Sequence, residues 1–241
     1  MRFDDLGELA GRAVNLTARS WAMARLLGSA RTVSNRNRAP DADRGDEGND
    51  AADLHGALGE LLLLSEALRR DGADVAMYMR QHMFSPEGGA GVFGPDLQVV
   101  EGGRLLGLDV KTFDCQPNKR YFAVNSRKHA KLKGCCEAYL GLVVPAFGRR
   151  GVLSGLIPYE QVSTWRHFSL RQGGSPSYNL IFTEFTHLYM RDAFDLGALR
   201  ANCYSPAEVE AAMAEDGPDS ARALLVELLP NVEPFLLGHT M

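Results

Sequence analysis

The sequence lacks several features that would assign it at once to a functional class. No apolar run approaches the roughly 18–20 residues of a membrane-spanning helix, and the amino terminus shows no signal-peptide pattern, so we expect a cytoplasmic protein with no membrane partner. The net charge of −4 excludes a globally basic surface, so any nucleic-acid contact needs a local patch. There is no Walker or dinucleotide-binding glycine pattern, and no local signature of Ser-His-Asp or Cys-His catalysis.

Cysteine is scarce, and its spacing disfavours the usual cysteine-based sites. The four cysteines include an adjacent pair, Cys135 and Cys136, but no C-x-x-C. A zinc ribbon, a disulfide framework and a cysteine-ligated iron–sulfur cluster all need other spacings. We therefore predict reduced and mostly buried thiols.

The composition is that of an ordinary soluble protein, with 45% hydrophobic and 23% charged residues among 241. A chain of this length can bury a sizeable core and is most simply one domain with additions. The pattern predicts an N-terminal helical segment over residues 1–30, amphipathic from 3 to 29, then a polar linker over 31–50. A core over 51–190 and a C-terminal helical extension over 191–241 follow.

The stretch 95–111 organises the chain. Two apolar-rich runs, 97–100 and 104–112, flank Gly102-Gly103, a two-residue turn typical of a β-hairpin. The register that this turn fixes places Asp96 directly opposite Asp109. Cross-strand neighbours of this kind point to the same face of a sheet.

Two carboxylates at one position of a sheet repel each other, so the arrangement needs a proton or a cation between them. Lys111 lies two residues beyond Asp109 and therefore on the same face. Two acids and an amine are thus predicted to converge. The alternative is that Asp96 is a polar strand end and that Lys111 neutralises Asp109 in a structural ion pair.

Pro95-Asp96 followed by Asp109-Val110-Lys111 resembles the signature of the PD-(D/E)XK, or restriction-endonuclease-like, nucleases. That family usually adds an acid on a preceding helix, and Glu60 fits this position in a helix predicted from residue 54 to about residue 70. A solvated acid near the first helical turn is the alternative for Glu60. The resemblance covers residues 51 to 185. It implies an α/β fold, with a restriction-endonuclease-like mixed β-sheet core flanked by helices.

The resemblance also implies a metal site and a catalytic set. Glu60, Asp96 and Asp109, with the backbone carbonyl of Val110, would supply hard oxygen ligands. Such ligands suit Mg²⁺, with Mn²⁺ able to substitute. Lys111 would orient or help deprotonate the attacking water and offset negative charge in the transition state. Glu60, Asp96, Asp109 and Lys111 are the expected catalytic residues.

A local basic patch follows the hairpin. Positions 119 to 133 contain six Lys/Arg residues and no acid. Cationic side chains beside a nuclease site bind phosphates without reading sequence, whereas the alternative is a solvated helix face. Asn125 is also a candidate helix cap. The expected nucleic-acid contacts are Lys119, Arg120, Asn125, Arg127, Lys128 and Lys131.

Further elements are predicted on either side of these motifs. Near-continuous apolar runs over 136–144 and 152–157 are typical of buried strands, and 178–185 is predicted as a late strand. A short helix is expected within 157–162. Ser205-Pro206-Ala207-Glu208 is a capping box, and the segment 219–229 has a leucine-rich helical face.

These expectations combine into a Mg²⁺-dependent deoxyribonuclease, most simply an endonuclease in defence, mobile-element or repair biology. DNA is favoured over RNA, and a homodimer or a protein partner is expected to use the C-terminal helices. The alternative is a non-catalytic, nuclease-like subunit that binds nucleic acid or assembles a complex. A ligand-triggered effector nuclease would require a separate sensor chain.

Overall fold

The chain divides into two compact units in a computed structural model. The first unit comprises Met1–Asn15 and Phe93–Cys203, and the second comprises Leu16–Val92 and Tyr204–Met241. The structure describes residues 9–38, 54–62, 94–101, 104–169, 176–191, 195–216 and 218–228. The architecture of these residues is mixed α/β, as predicted.

Eight strands are described, and all lie in the first unit: β1 (Ala13–Asn15), β2 (Leu97–Glu101), β3 (Arg104–Asp114), β4 (Tyr121–Asn125), β5 (Ala138–Val144), β6 (Arg150–Pro158), β7 (Arg166–Phe168) and β8 (Ser177–Ile181). Five of them form one sheet in the order β1-β6-β5-β3-β2, and three form another in the order β4-β8-β7. In the larger sheet β3 and β5 run parallel, and the other neighbours are antiparallel.

Eight helices are described: α1 (Ala18–Arg38), α2 (54–62), α3 (Ser126–Lys131), α4 (Tyr159–Val162), α5 (Phe182–Tyr189), α6 (Leu196–Ala201), α7 (Pro206–Asp216) and α8 (Pro218–Leu228). The chain leaves β3, forms β4 and α3, and returns as β5 beside β3. A crossover of this length is what two parallel neighbours in a sheet require.

The core of the first unit lies where the two sheets and the later helices meet. Every residue of β5 is buried, because this near-continuous apolar strand lies between β3 and β6. Strand β4 instead alternates: Phe122 and Val124 are buried, while Tyr121 and Ala123 are exposed. The smaller sheet therefore packs one face on the core. Rings join the layers, with Phe113 stacked on Phe182 at 4.6 Å between centroids.

The second unit is helical in its described part. Helix α1 packs against α7 and α8, and its Trp21 is fully buried, with its ring edge-on to that of His55 at 5.8 Å. Helix α7 begins with the predicted capping box, which is confirmed: the Ser205 backbone N–H donates to Glu208 Oε2 at 2.7 Å, and the Glu208 N–H donates to Ser205 Oγ at 3.2 Å.

The predicted N-terminal helix over 3–29 is wrong over residues 9–17, and residues 3–8 lie outside the described part. Residues 13–15 form β1, and α1 begins only at Ala18, where Thr17 Oγ1 accepts a hydrogen bond from the Ser20 N–H at 3.1 Å. The linker predicted from residue 31 also begins too early, because α1 continues to Arg38. In residues 31–39 the Ser and Asn residues only weakly disfavour a helix and the Arg residues favour one, and this stretch contains no Gly or Pro. Residues 39–50 of that linker lie outside the described part.

Other predicted elements are confirmed with shifted ends. Strands β5 and β6 and helices α2, α4 and α8 lie where expected, although residues 63–70 of the first helix lie outside the described ranges. The predicted strand over 178–185 ends at Ile181, and α5 replaces its second half. The buried face of α5 consists of Phe182, Phe185 and Tyr189 at helical spacing. In so short an apolar segment, the sequence pattern does not distinguish a helix from a strand.

Candidate active site

The hairpin register predicted from the sequence is confirmed and brings two acids together. Leu97 pairs with Leu108 in the β2–β3 ladder. Asp96 immediately precedes β2, and its Oδ2 accepts a hydrogen bond from the backbone N–H of Val110 at 2.8 Å. This bond holds the Asp96 carboxylate beside Asp109, whose side chain points from β3.

The two acids share their position with two amines. Asp109 is fully buried, and its Oδ2 is ion-paired with Lys111. Its Oδ1 lies 2.7 Å from Nζ of Lys128, and the same Nζ lies 3.4 Å from Oδ1 of Asp96. The ammonium of Lys128 therefore lies between the two carboxylates. The sequence predicted that a proton or a cation was needed there, but not that Lys128 would supply the cation.

Helix α3 brings Lys128 to the acids. Asn125, the last residue of β4, caps this helix as predicted: its Oδ1 accepts hydrogen bonds from the N–H groups of Arg127 at 2.9 Å and Lys128 at 3.0 Å. The cap fixes the backbone at the base of the Lys128 side chain. The face of α3 that meets the sheet is set by the crossover from β3 to β5, and no local sequence pattern indicates it.

Gly107 of β3 lies in close contact with Pro95, the residue before Asp96, and with the backbone of Cys135. A Cβ at Gly107 would overlap the carbonyl oxygen of Cys135 and lie 2.7 Å from Cγ of Pro95. The backbone of Gly107 is held from the same side, since its carbonyl accepts a hydrogen bond from the Glu137 N–H at 2.8 Å. A side chain here must displace either the loop or the residue before Asp96.

We therefore expect Gly107→Ala to lower the free energy of unfolding by roughly 1–3 kcal/mol, the usual cost of overpacking. Urea denaturation measures this, with Ala123→Ser at an exposed position of β4 as the control that changes it by less than about 0.5 kcal/mol. Equal free energies of unfolding for the two variants would show that the backbone around Gly107 can shift to make room for the methyl group without loss of stability.

Behind Lys111 lies a buried network of polar rings. The amine of Lys111 is 5.5 Å from the ring centroid of Tyr139, which pairs with Asp109 in the β3–β5 ladder. Burial raises the pKa of Tyr139, so its hydroxyl stays neutral. That hydroxyl lies 2.8 Å from Nδ1 of His129, and Nε2 of His129 lies 2.9 Å from the Ser163 hydroxyl. His129 and Lys128 are adjacent on α3, so the network holds the helix that carries the second amine.

The pKa of His129 is lowered from 6.5, because burial disfavours the imidazolium more than nearby Glu160 favours it. The unfolded chain therefore takes up the proton first as the pH falls. We expect the His129 contribution to stability to be complete above pH 6.5 and to be lost progressively below it.

Urea denaturation between pH 8 and pH 5 measures this, comparing the wild type with His129→Gln. The variant is expected to lose less stability over that interval than the wild type. Parallel pH profiles would show that the fold tolerates a charged His129.

The remaining residues of the predicted basic patch lie on the surface. Four of them are exposed: Lys119 and Arg120 immediately precede β4, and Arg127 and Lys131 lie on α3. The side-chain oxygen of Asn125 accepts the hydrogen bonds that cap α3. Their contact with nucleic acid stays a prediction, and Lys128 is the member of this group that the fold turns towards the acids.

Glu60 belongs to the second unit, where it is buried on α2 at 5% exposure. The structure thus brings Asp96, Asp109 and Lys111 together within the first unit, and Glu60 stays a predicted fourth member. Across the described ranges, no group of three or more His, Cys, Asp or Glu side chains is arranged to hold a metal ion.

The donors that do converge fit a hard divalent cation. One oxygen of Asp96 and one of Asp109 already surround a single cation, the Lys128 ammonium. The Val110 carbonyl lies 3.3 Å from Nζ of Lys111, the amine that is ion-paired with the other oxygen of Asp109. Mg²⁺ is commonly held by one or two carboxylates with retained waters and substrate phosphates. Asp96, Asp109 and the Val110 carbonyl are a donor set of this kind.

The cysteines take no part in this site. All four thiols are free; Cys115 and Cys136 are buried, and Cys135 and Cys203 are partly exposed. Burial raises the pKa of Cys115 to about 11 and that of Cys136 to about 12. Thiols with such pKa values are not nucleophiles at neutral pH.

Comparison with known proteins assigns no family. No protein-family model, curated protein or solved structure matches the chain. Among the helices in the described ranges, none has both the length and the apolar character needed to cross a membrane. Function is therefore inferred from the geometry of this site.

Proposed function

We propose that the protein is a metal-dependent nuclease that hydrolyses phosphodiester bonds of DNA, with Asp96, Asp109 and Lys111 at its centre. The observation that carries this proposal is the convergence of two carboxylates on one cation position, with a lysine amine beside them. The hairpin that carries them in a mixed sheet supports a restriction-endonuclease-like fold.

Asp96, Asp109 and the Val110 carbonyl would hold Mg²⁺ or Mn²⁺, and Glu60 is proposed as a further ligand. A cation bound there supplies charge neutralisation at the phosphate and lowers the pKa of a water molecule. Lys111 orients that water and offsets the negative charge that develops on the phosphate oxygens. The water would release one proton to solvent, and its oxygen would bond to phosphorus as the bond from phosphorus to the 3′ oxygen breaks. The leaving oxygen takes up a proton, which gives a 5′-phosphate and a 3′-hydroxyl.

The exposed cations that precede β4 and those on α3 would bind the substrate backbone. Lys119, Arg120, Arg127 and Lys131 lie on one continuous segment that ends on the helix carrying Lys128. Phosphate contacts of this kind position a nucleic acid without reading its sequence. DNA is proposed over RNA, with roles in defence, mobile-element or repair biology and a partner or second copy docked on the C-terminal helices.

A second candidate is a non-catalytic, nuclease-like subunit that binds nucleic acid or assembles a complex. The observation favouring it is that Lys111 and Lys128 already neutralise both acids, as in a structural ion-pair cluster. This candidate predicts nucleic-acid binding without turnover and without a metal-binding site at Asp96 and Asp109.

The test is incubation of supercoiled plasmid with the purified chain and Mg²⁺ or Mn²⁺, followed by gel analysis. Nicking or linearisation is expected for the wild type and should be lost in Asp96→Asn and Asp109→Asn. Arg12→Met, which removes an exposed charge outside the basic patch of residues 119–133, should cleave like the wild type. Absence of both cleavage and Mn²⁺ binding would favour the non-catalytic subunit.

A further inference from the structure

Lys128 lies on the six-residue helix α3, whose last turn carries the basic residues Lys128, His129 and Lys131. Its amine reaches across to the sheet and lies 2.7 Å from Asp109 and 3.4 Å from Asp96. The acids therefore provide the stabilisation that keeps this side chain in place.

The two ends of Lys128 differ in their freedom. Its backbone N–H is fixed by the Asn125 cap at 3.0 Å, whereas its side chain is 39% exposed. The Lys111 side chain is 18% exposed, lies against the Tyr139 ring and donates to the Val110 carbonyl. Lys128 is thus the amine of the pair that can leave the acids for solvent while the helix stays in place.

We propose that Lys128 is a built-in counter-ion that competes with the divalent cation for Asp96 and Asp109 and is displaced when that cation binds. This inference rests on the proposed function. Both cations need the same carboxylate oxygens, so a bound amine reduces the fraction of molecules competent to bind the metal and weakens its apparent affinity by that fraction.

Displacement also gives Lys128 a second position. An amine released from the acids lies on the helix that also carries the exposed cations Arg127 and Lys131, where it can bind a phosphate of the substrate. When the Lys128 amine binds a substrate phosphate, it no longer occupies the carboxylates of Asp96 and Asp109. Binding of the substrate therefore favours binding of the metal ion, and the reverse. Lys128 therefore links occupation of the metal site to the presence of nucleic acid.

The first experiment is calorimetric titration of Mn²⁺ into the wild type, Lys128→Met and Lys133→Met. Lys128→Met is expected to bind Mn²⁺ at least about tenfold more tightly than the wild type, and Lys133→Met, with the same loss of charge, to stay within about twofold. Equal or weaker binding by Lys128→Met would overturn the inference while leaving the proposed nuclease intact. Absence of Mn²⁺ binding in the wild type and in Lys128→Met alike would end both.

A second measurement uses the unmodified chain. Lysine amines are labelled by reductive methylation, and labelled peptides are quantified by mass spectrometry with and without Mn²⁺. Labelling of Lys128 should increase several-fold when Mn²⁺ is added, while labelling of exposed Lys119 stays constant. Unchanged labelling of Lys128 at a concentration where calorimetry shows Mn²⁺ bound would contradict displacement.

Discussion

Lys111→Met is expected to slow metal-dependent plasmid cleavage by about 10²- to 10⁴-fold, the usual contribution of a positioned proton-transfer group. Methionine keeps the apolar stem that lies against Tyr139 but removes the amine that faces Asp109 and the Val110 carbonyl. Because the amine is not a metal ligand, Mn²⁺ should bind this variant at least as tightly as the wild type.

The measurement combines single-turnover cleavage rates at saturating Mn²⁺ with calorimetric Mn²⁺ affinities. Arg12→Met removes an exposed charge outside the basic patch and is the control that should leave both quantities unchanged. A cleavage rate equal to that of the wild type would remove Lys111 from the mechanism. A loss of metal affinity as large as the loss of rate would show that its role is to assemble the site.

Asp109→Asn is expected to lower the free energy of unfolding by about 3 kcal/mol, because it leaves amines without their buried counter-charge. Asp109 is fully buried, and the Lys111 side chain is largely so. Lys128 contributes less to this cost, since its more exposed amine can turn to water. This prediction concerns the folded chain and does not depend on catalysis.

A double-mutant cycle that combines Asp109→Asn with Lys111→Met isolates the interaction energy between these two side chains. The double variant should recover part of the loss, with a coupling energy of about 1–3 kcal/mol in urea denaturation. Lys133→Met provides the surface reference, within about 0.5 kcal/mol of the wild type. A loss below about 0.5 kcal/mol for Asp109→Asn would show that the amines find other partners in the folded state.

Local patterns determined much of this molecule. The two-residue glycine turn and the flanking apolar runs fixed the β2–β3 register, which alone brings Asp96 to Asp109. Side-chain alternation along β3 placed Lys111 beside Asp109, and the capping residues Asn125 and Ser205 mark their helix starts correctly. Each of these features depends on residues close in sequence, so the physical rule that governs it is visible in the chain itself.

Tertiary structure decided what depends on distant segments. The sequence predicts Lys128 only as one cation of a basic patch. In the folded chain, the crossover from β3 through α3 to β5 places its amine beside the two acids. Strand β4 was not predicted, because its pairing partner β8 lies more than fifty residues later. Likewise β1, only three residues long, forms because the edge of β6 accepts it. Such elements are stabilised by partners that a local window does not contain, so only the folded chain reveals them.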